Sequence, residues 1–308
     1  MDETDAITLT SLSANNGTIT VDAGGSIAAV DVASLTDNDA NDVSLTGVGI
    51  VATSINAGAT GDVTLDAGTG AITQDDTDDK NDVIADVLTA DATTGIDLDT
   101  TVASTDLSVS GTGSIALDEL DEVVLTDLDT AAGAIVITAA LGDVSVGSVS
   151  ATGGALGITA TTGSINDATE DNTLDLTAGG LITLTAEDEV GDHATFTDKN
   201  LEFAAGSSVD VSSTGAGAID LDGLGDITLS AVDTKSGNIT VTSAGDVTVG
   251  SINARAGTLE ITATTGSIND ATDDVVVDLT AGGLVTLTAR DEIGGTVVAG
   301  ETTDTAGS

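Results

Sequence analysis

Residues Leu156–Gly191 read LGITATTGSINDATEDNTLDLTAGGLITLTAEDEVG, and Leu259–Gly294 read LEITATTGSINDATDDVVVDLTAGGLVTLTARDEIG. The two stretches align without a gap, Leu156 falling on Leu259 and Gly191 on Gly294. The match extends backwards: GDVSVGSV from Gly142 pairs with GDVTVGSI from Gly245, and, after one inserted residue, GSIALDELDEVVL from Gly113 pairs with GAIDLDGLGDITL from Gly217. A looser third copy begins near Ser54 with SINAGATGDVTLDAGTGAIT. Self-similarity at this scale marks a repeat architecture, in which each unit buries its apolar face only by stacking on its neighbours. The expected organisation is a single continuous β-solenoid over 1–308, with large repeats at approximately 15–112, 113–216 and 217–308.

A finer period runs inside the large one. Alternating runs start at Ile135, Leu156, Leu174, Leu201, Ile219, Ile239, Leu259 and Val277, and most follow one another at a nearly constant step. Within them IVIT, LGIT, LDLT, IDLD, ITVT, LEIT and VDLT alternate apolar with small polar residues, as a strand with one buried face does. Gly-Asp, Gly-Gly and Ala-Gly pairs follow and supply the turns. A β-sandwich also uses short alternating strands, but its hairpins do not require a constant step, whereas a parallel β-helix does. The pattern therefore predicts an all-β, right-handed parallel β-helix with coils of about 20 residues. About fifteen coils at roughly 4.8 Å each would stack to a length of order 70 Å. Ile158, Leu176, Ile261 and Leu279 are expected in the buried rows. The step from Leu174 to Leu201 is longer than the rest and marks an insertion containing EDEVGDHATFTDKN. Insertions in a solenoid emerge as loops, so this one is a candidate contact site.

Composition agrees with a narrow core. Of 308 residues 40% are hydrophobic, yet Trp, Tyr, Cys and Pro are absent and only Phe196 and Phe203 are aromatic. A wide core would use more rings, and a backbone engaged in ladders has little room for proline, which lacks the N–H donor. The 52 acidic residues against 5 basic ones give a net charge of −47, and that charge belongs on the outside. No stretch approaches the roughly 20 apolar residues of a membrane-spanning helix. The start, MDETDAITLT, has no hydrophobic signal core, so an export signal is expected upstream in a longer precursor.

The run LTAGG, then ITLTA or VTLTA, then EDEVG or RDEIG, carried by Leu176–Gly191 and Leu279–Gly294, resembles the coils of filamentous-haemagglutinin-type exoproteins and giant bacterial β-strand-repeat adhesins. The resemblance implies export, surface attachment, cohesion or adhesion, and it implies no reaction. The secretion domain that defines the exoprotein group is not visible among these residues.

Catalysis has little to draw on. There is one histidine, His193, in a polar stretch, no cysteine and no GxSxG elbow. β-Helix glycosidases and lyases can use paired carboxylates, but among 52 acids some pair is always close. Calcium is the cofactor the turns could take, because hard oxygen donors suit it. Asp167, Glu170 and Asp171, and in the second copy Asp270, Asp273 and Asp274, are the candidate ligands, with Asp76, Asp78 and Asp79 in a further acidic turn. The plainer reading is that these are solvating acidic loops. Neither an EF-hand loop nor a calcium β-roll nonapeptide occurs. Outward Thr183 and Thr185, repeated as Thr286 and Thr288, could ladder as on ice-binding solenoids, but Thr is also simply a good strand residue. Nucleic acid is disfavoured as a partner by charge. Asn16-Gly17-Thr18 and Asn238-Ile239-Thr240 match the glycosylation sequon.

The function expected from the sequence is a non-catalytic, structural or adhesive segment or subunit of a bacterial cell-surface or extracellular fibre. Copies of the chain joined end to end, other surface proteins and glycans are its expected partners. A calcium-dependent adhesin module that binds glycans is the alternative, and a β-helix carbohydrate-active enzyme the third reading.

Overall fold

The computed structural model describes residues 1–75, 81–169, 171–191, 200–272 and 277–294. Among these there is no helix, and the strands pair in parallel as a β-solenoid of about 12 coils with turns of about 21 residues. No helix is long and apolar enough to cross a membrane among the described residues. The chain falls into two compact units, Met1–Ala155 and Leu156–Ser308.

In the first unit the alternation read from the sequence becomes a stack of columns. Ile7, Ile27, Ile50, Ile72, Ile96, Ile115 and Ile135 pair each with the next, so these isoleucines form one interior column. From Ile27 onward each of them is 1% exposed or less. Branched side chains fit this site because the pleat holds them at a restricted rotamer against identical neighbours above and below. A second column runs Ile19, Val43, Val63 and Leu88. The steps between these partners are unequal, so coil length varies while the inward position is kept. The strand Ile19–Ala23 alternates buried and exposed at every residue.

The second unit repeats the scheme. Leu201, Leu221, Val241 and Ile261 stack in register, and Ile219, Ile239 and Leu259 form a parallel column beside them. The turns are built by a shared device. Thr234 is fully buried and its hydroxyl donates to the Gly237 carbonyl at 2.8 Å, closing the corner. Gly237 lies directly over Gly217, and Gly257 over Gly237, so closely that a Cβ on either upper glycine would collide with the carbonyl oxygen beneath it. The first unit has the same corner, where the Thr130 hydroxyl donates to the Gly133 carbonyl at 2.7 Å. The duplication also extends to irregularities. The ladder slips between Thr105 and Asp106 and again between Val209 and Asp210, at equivalent places in the two copies. Such a bulge is a retained bend of the strand, here copied with its sequence.

Three expectations need correcting. The coils number about 12, not fifteen, and some are longer than the run-to-run intervals suggested. Leu174 and Val277 do not start strands: they are 42% and 74% exposed, and the strands begin at Leu176 and Leu279. The stacking partner of Leu156 is therefore Ile182, and that of Leu259 is Val285, the same lengthened step in both copies. Second, Ile158, Leu176 and Ile261 are buried as expected but Leu279 is only partly so, because it pairs with Ile252 on one side and no described strand covers the other. Third, the charge is not all outside: Glu119, Asp167, Asp175, Glu202, Asp220 and Asp82 are buried. The threonine ladders are short. Thr183 stacks between Gly157 and Asp210, whereas Thr242, Thr262 and Thr288 do align.

Candidate metal centre

Two buried glutamates, one in each unit, solve the problem of an interior carboxylate differently. Glu119 ends the strand Ile115–Glu119 at a position where the stacked neighbours are Thr100 and Ala139, and the equivalent residue of the duplicated copy is Gly223. The longer side chain turns in and collects donors. The Thr100 hydroxyl donates to Oε2 at 2.7 Å, the Val102 amide reaches both oxygens at 3.3 and 3.2 Å, and the Leu120 and Asp121 amides reach Oε1 at 2.9 and 3.3 Å. Burial nevertheless outweighs these bonds and pushes the carboxyl up from 4.5 to about 7.

That shift gives a directional expectation. Below pH 4.5 Glu119 is protonated in both the folded and the unfolded chain. Between 4.5 and about 7 the unfolded chain loses the proton while the folded one retains it, so stability falls as pH rises through this window. One such proton is worth about 1.4 kcal/mol per pH unit. In Glu119→Gln this component is absent. Denaturant midpoints measured across that window should therefore decline less steeply for the variant than for the parent chain, and equal slopes would remove Glu119 from the pH response.

In the second unit, three strands bring three acids together without comparable donors. The strand Ile165–Asp167 ends at Asp167, Asp175 immediately precedes the strand Leu176–Ala178, and Glu202 is the middle residue of Leu201–Phe203. Leu176 pairs with Phe203, which sets Asp175 against Glu202. The Asp175 amide donates to the Glu202 carbonyl at 3.2 Å, and the Glu202 amide donates to Asp175 Oδ2 at 3.0 Å. A carboxylate oxygen from each of Asp167, Asp175 and Glu202 lies within 4.8 Å of the other two. The residues are 4%, 1% and 0% exposed.

Alternation fails locally to make this site. Asp175 and Leu176 are both buried, and so are Leu201, Glu202 and Phe203 in a row. Apart from the contact between the two carboxyls themselves, Asp175 Oδ1 and both carboxylate oxygens of Glu202 have no hydrogen-bond partner. Burial pushes both carboxyls above the ordinary range; the hydrogen bond between the two side chains raises Glu202 further and, with the Glu202 amide, holds Asp175 back, while the charges of neighbouring acids raise both. Asp167 is better provided: its Oδ1 accepts from the Thr169 amide and hydroxyl at 2.7 and 2.9 Å, and its Oδ2 from the Asp171 amide at 3.1 Å. Those bonds form a side-chain turn that fixes the carboxylate in place.

Of the ligands expected from sequence, Asp167 belongs to this group. Asp171 does not: its Oδ1 accepts from the Thr173 amide at 2.6 Å, and hydrogen bonds from Thr173 hold its carboxyl below the usual range. Asp270 repeats the Asp167 turn, accepting from the Thr272 amide at 2.8 Å and its hydroxyl at 3.3 Å. Glu170, Asp273 and Asp274 lie outside the described residues, as do Asp76, Asp78, Asp79 and the insertion residue His193. Asp175 and Glu202 are not among the ligands that the sequence points to. Reading LDLT as a strand from Leu174 puts Asp175 on the outer face, and nothing in the local pattern signals that this position is buried.

No family model, no curated protein and no solved structure matches the chain. The fold and the acid group therefore stand on the chain's own geometry.

Proposed function

We propose that the chain is a non-catalytic structural module of a bacterial cell-surface or extracellular fibre, displayed outside the cell. The observation that supports this reading most is the interior isoleucine column Ile7 to Ile135, in which each coil rests on an identical aliphatic layer. Coils tied along the stacking direction by parallel ladders resist bending and stretching, which suits a spacer. The net charge of −47 keeps neighbouring copies apart side by side at low salt, with an effect screened beyond roughly 8 Å at physiological ionic strength. The resemblance of Leu176–Gly191 and Leu279–Gly294 to surface exoprotein coils points the same way.

The test is antibody labelling of intact and permeabilised source cells, combined with incubation of the purified chain with acidic and neutral polysaccharides. Labelling of intact cells without release of sugar ends is expected; labelling only after permeabilisation, or polysaccharide cleavage, would overturn the proposal. Copies joined end to end would appear as concentration-dependent growth in light scattering, whereas a spacer within a longer fibre protein scatters as one chain at every concentration. The buried acid group gives the calcium-dependent adhesin its one specific support, and glycan-array binding that appears only with calcium would favour that reading.

A further inference from the structure

We infer that Asp167, Asp175 and Glu202 form a buried binding site for one calcium ion, which ties the strand Leu201–Phe203 to the end of the strand Ile165–Asp167 and to Asp175, the residue before Leu176. The inference is independent of where the protein is displayed.

Spacing is the first argument. Two oxygens on opposite sides of a calcium ion, each at roughly 2.3–2.6 Å, stand about 5 Å apart. The three carboxylate groups offer oxygens no more than 4.8 Å from one another, close enough to share one such ion. The second argument is the orphaned oxygens. Apart from the contact of the two carboxyls with each other, both carboxylate oxygens of Glu202 and Oδ1 of Asp175 are buried with no donor, whereas Glu119, equally enclosed, is met by one hydroxyl and three amides. A fold that surrounds one glutamate with donors and leaves another bare beside two aspartates has left room for a positive charge at the second. Buried charges persist when they are paired or coordinate a metal.

The donor set selects the ion. All three ligands are carboxylates, so hard cations are favoured over zinc or copper. Magnesium gives up its water shell reluctantly, and ligands exposed by 4% or less demand that it do so; calcium accepts irregular, largely dehydrated oxygen cages. The asymmetry of the hydrogen bonding also fits. Asp167 is held by its own turn, while Glu202 and Asp175 keep free lone pairs beside it.

The rival account is a proton shared between Asp175 and Glu202, with no metal. The two are separated by calorimetric titration of the chelator-treated full chain with calcium chloride. Salt at about 0.15 M, together with millimolar magnesium, would occupy the diffuse acidic surface. One tight, saturable calcium per chain is expected, accompanied by a rise in the thermal midpoint. Glu202→Gln should weaken that site at least 100-fold while leaving the weak surface binding unchanged. Without calcium this variant should melt no lower than the parent, because an amide of the same size removes the repulsion between Glu202 and the neighbouring acids, which separates loss of binding from misfolding. Asp171→Asn should retain the tight site. Absence of a saturable calcium site in the parent chain, or the same site in Glu202→Gln, would overturn the inference in favour of the shared proton.

Discussion

Ile72→Asp is expected to cost several kcal/mol and to unfold at least the surrounding coils of the first unit. Ile72 is fully buried in the middle of the isoleucine column, between Ile50 and Ile96. Truncation of such a side chain to alanine would by itself cost about 2–5 kcal/mol through lost burial and the cavity left behind. The aspartate adds an uncompensated interior charge, since no donor side chain replaces the methyl groups on either side. Because each coil contacts chiefly its neighbours, the loss should spread from that point. Hydrogen exchange should accelerate first in the strands Ile50–Ala52 and Ile96–Val109, which flank it. Unchanged exchange and an unchanged thermal midpoint would mean that Ile72 does not face the interior.

The second large effect is expected from a single methyl group. In Gly237→Ala the new Cβ meets the backbone carbonyl of Gly217, and no rotamer change can relieve a clash with backbone. Relief requires moving two coils apart at the Thr234 corner, which breaks ladder hydrogen bonds on either side of it. A loss of about 1–3 kcal/mol or more is expected, the range of overpacked interiors. Gly157→Ala is the control. Gly157 lies within the strand Leu156–Ala160, and a Cβ there meets nothing within 4 Å. It should change stability by no more than about 0.5 kcal/mol, as open surface positions do. Thermal or urea unfolding of the two variants checks both statements, and equal losses would contradict the stacked-glycine corner.

How much of this was legible follows from where side-chain periodicity holds. Runs such as IVIT from Ile135 and ITVT from Ile239 show the inward face, because a period of two puts Ile135 with Ile137, and Ile239 with Val241, on one side of the strand. Large-scale duplication is equally plain, and even the bulges at Thr105 and Val209 follow it. Coil count is not. LDLT and VDLT satisfy the alternation as well as true strands do, yet Leu174 and Val277 sit in loops, because nothing local distinguishes a strand start from a polar turn that happens to contain a leucine or valine.

The acid group is less legible still. Its assembly depends on the pairing of Leu176 with Phe203, which sets Asp175 against Glu202, a long-range contact that the residues LEF around Glu202 do not announce. Asp167 can be found because side-chain turns have a local signature, Asp-x-Thr, and Asp171, with Thr173 two residues on, carries the same signature. Glu119 leaves a clearer trace: it stands where the duplicated copy has Gly223 and the stacked coils have Thr100 and Ala139, so a long acid at a small-residue position is an anomaly in the sequence itself.

Stacked parallel coils make one further demand, on register, that cysteine pairs can read directly because the chain has no native cysteine. Ser44 and Thr64 are outward-facing partners in adjacent coils, and Asp66 lies two residues beyond Thr64. Partners in neighbouring strands stand about 4.8 Å apart, within the Cα separation a disulfide tolerates, while the diagonal pair is stretched to about 7–8 Å. The measurement is oxidation of the double variants Ser44→Cys with Thr64→Cys and Ser44→Cys with Asp66→Cys, followed by the intramolecular disulfide yield in the folded chain. The stacked solenoid predicts rapid, near-complete closure of the first pair and little closure of the second; equal yields, or closure of the second alone, would contradict the parallel coil stack.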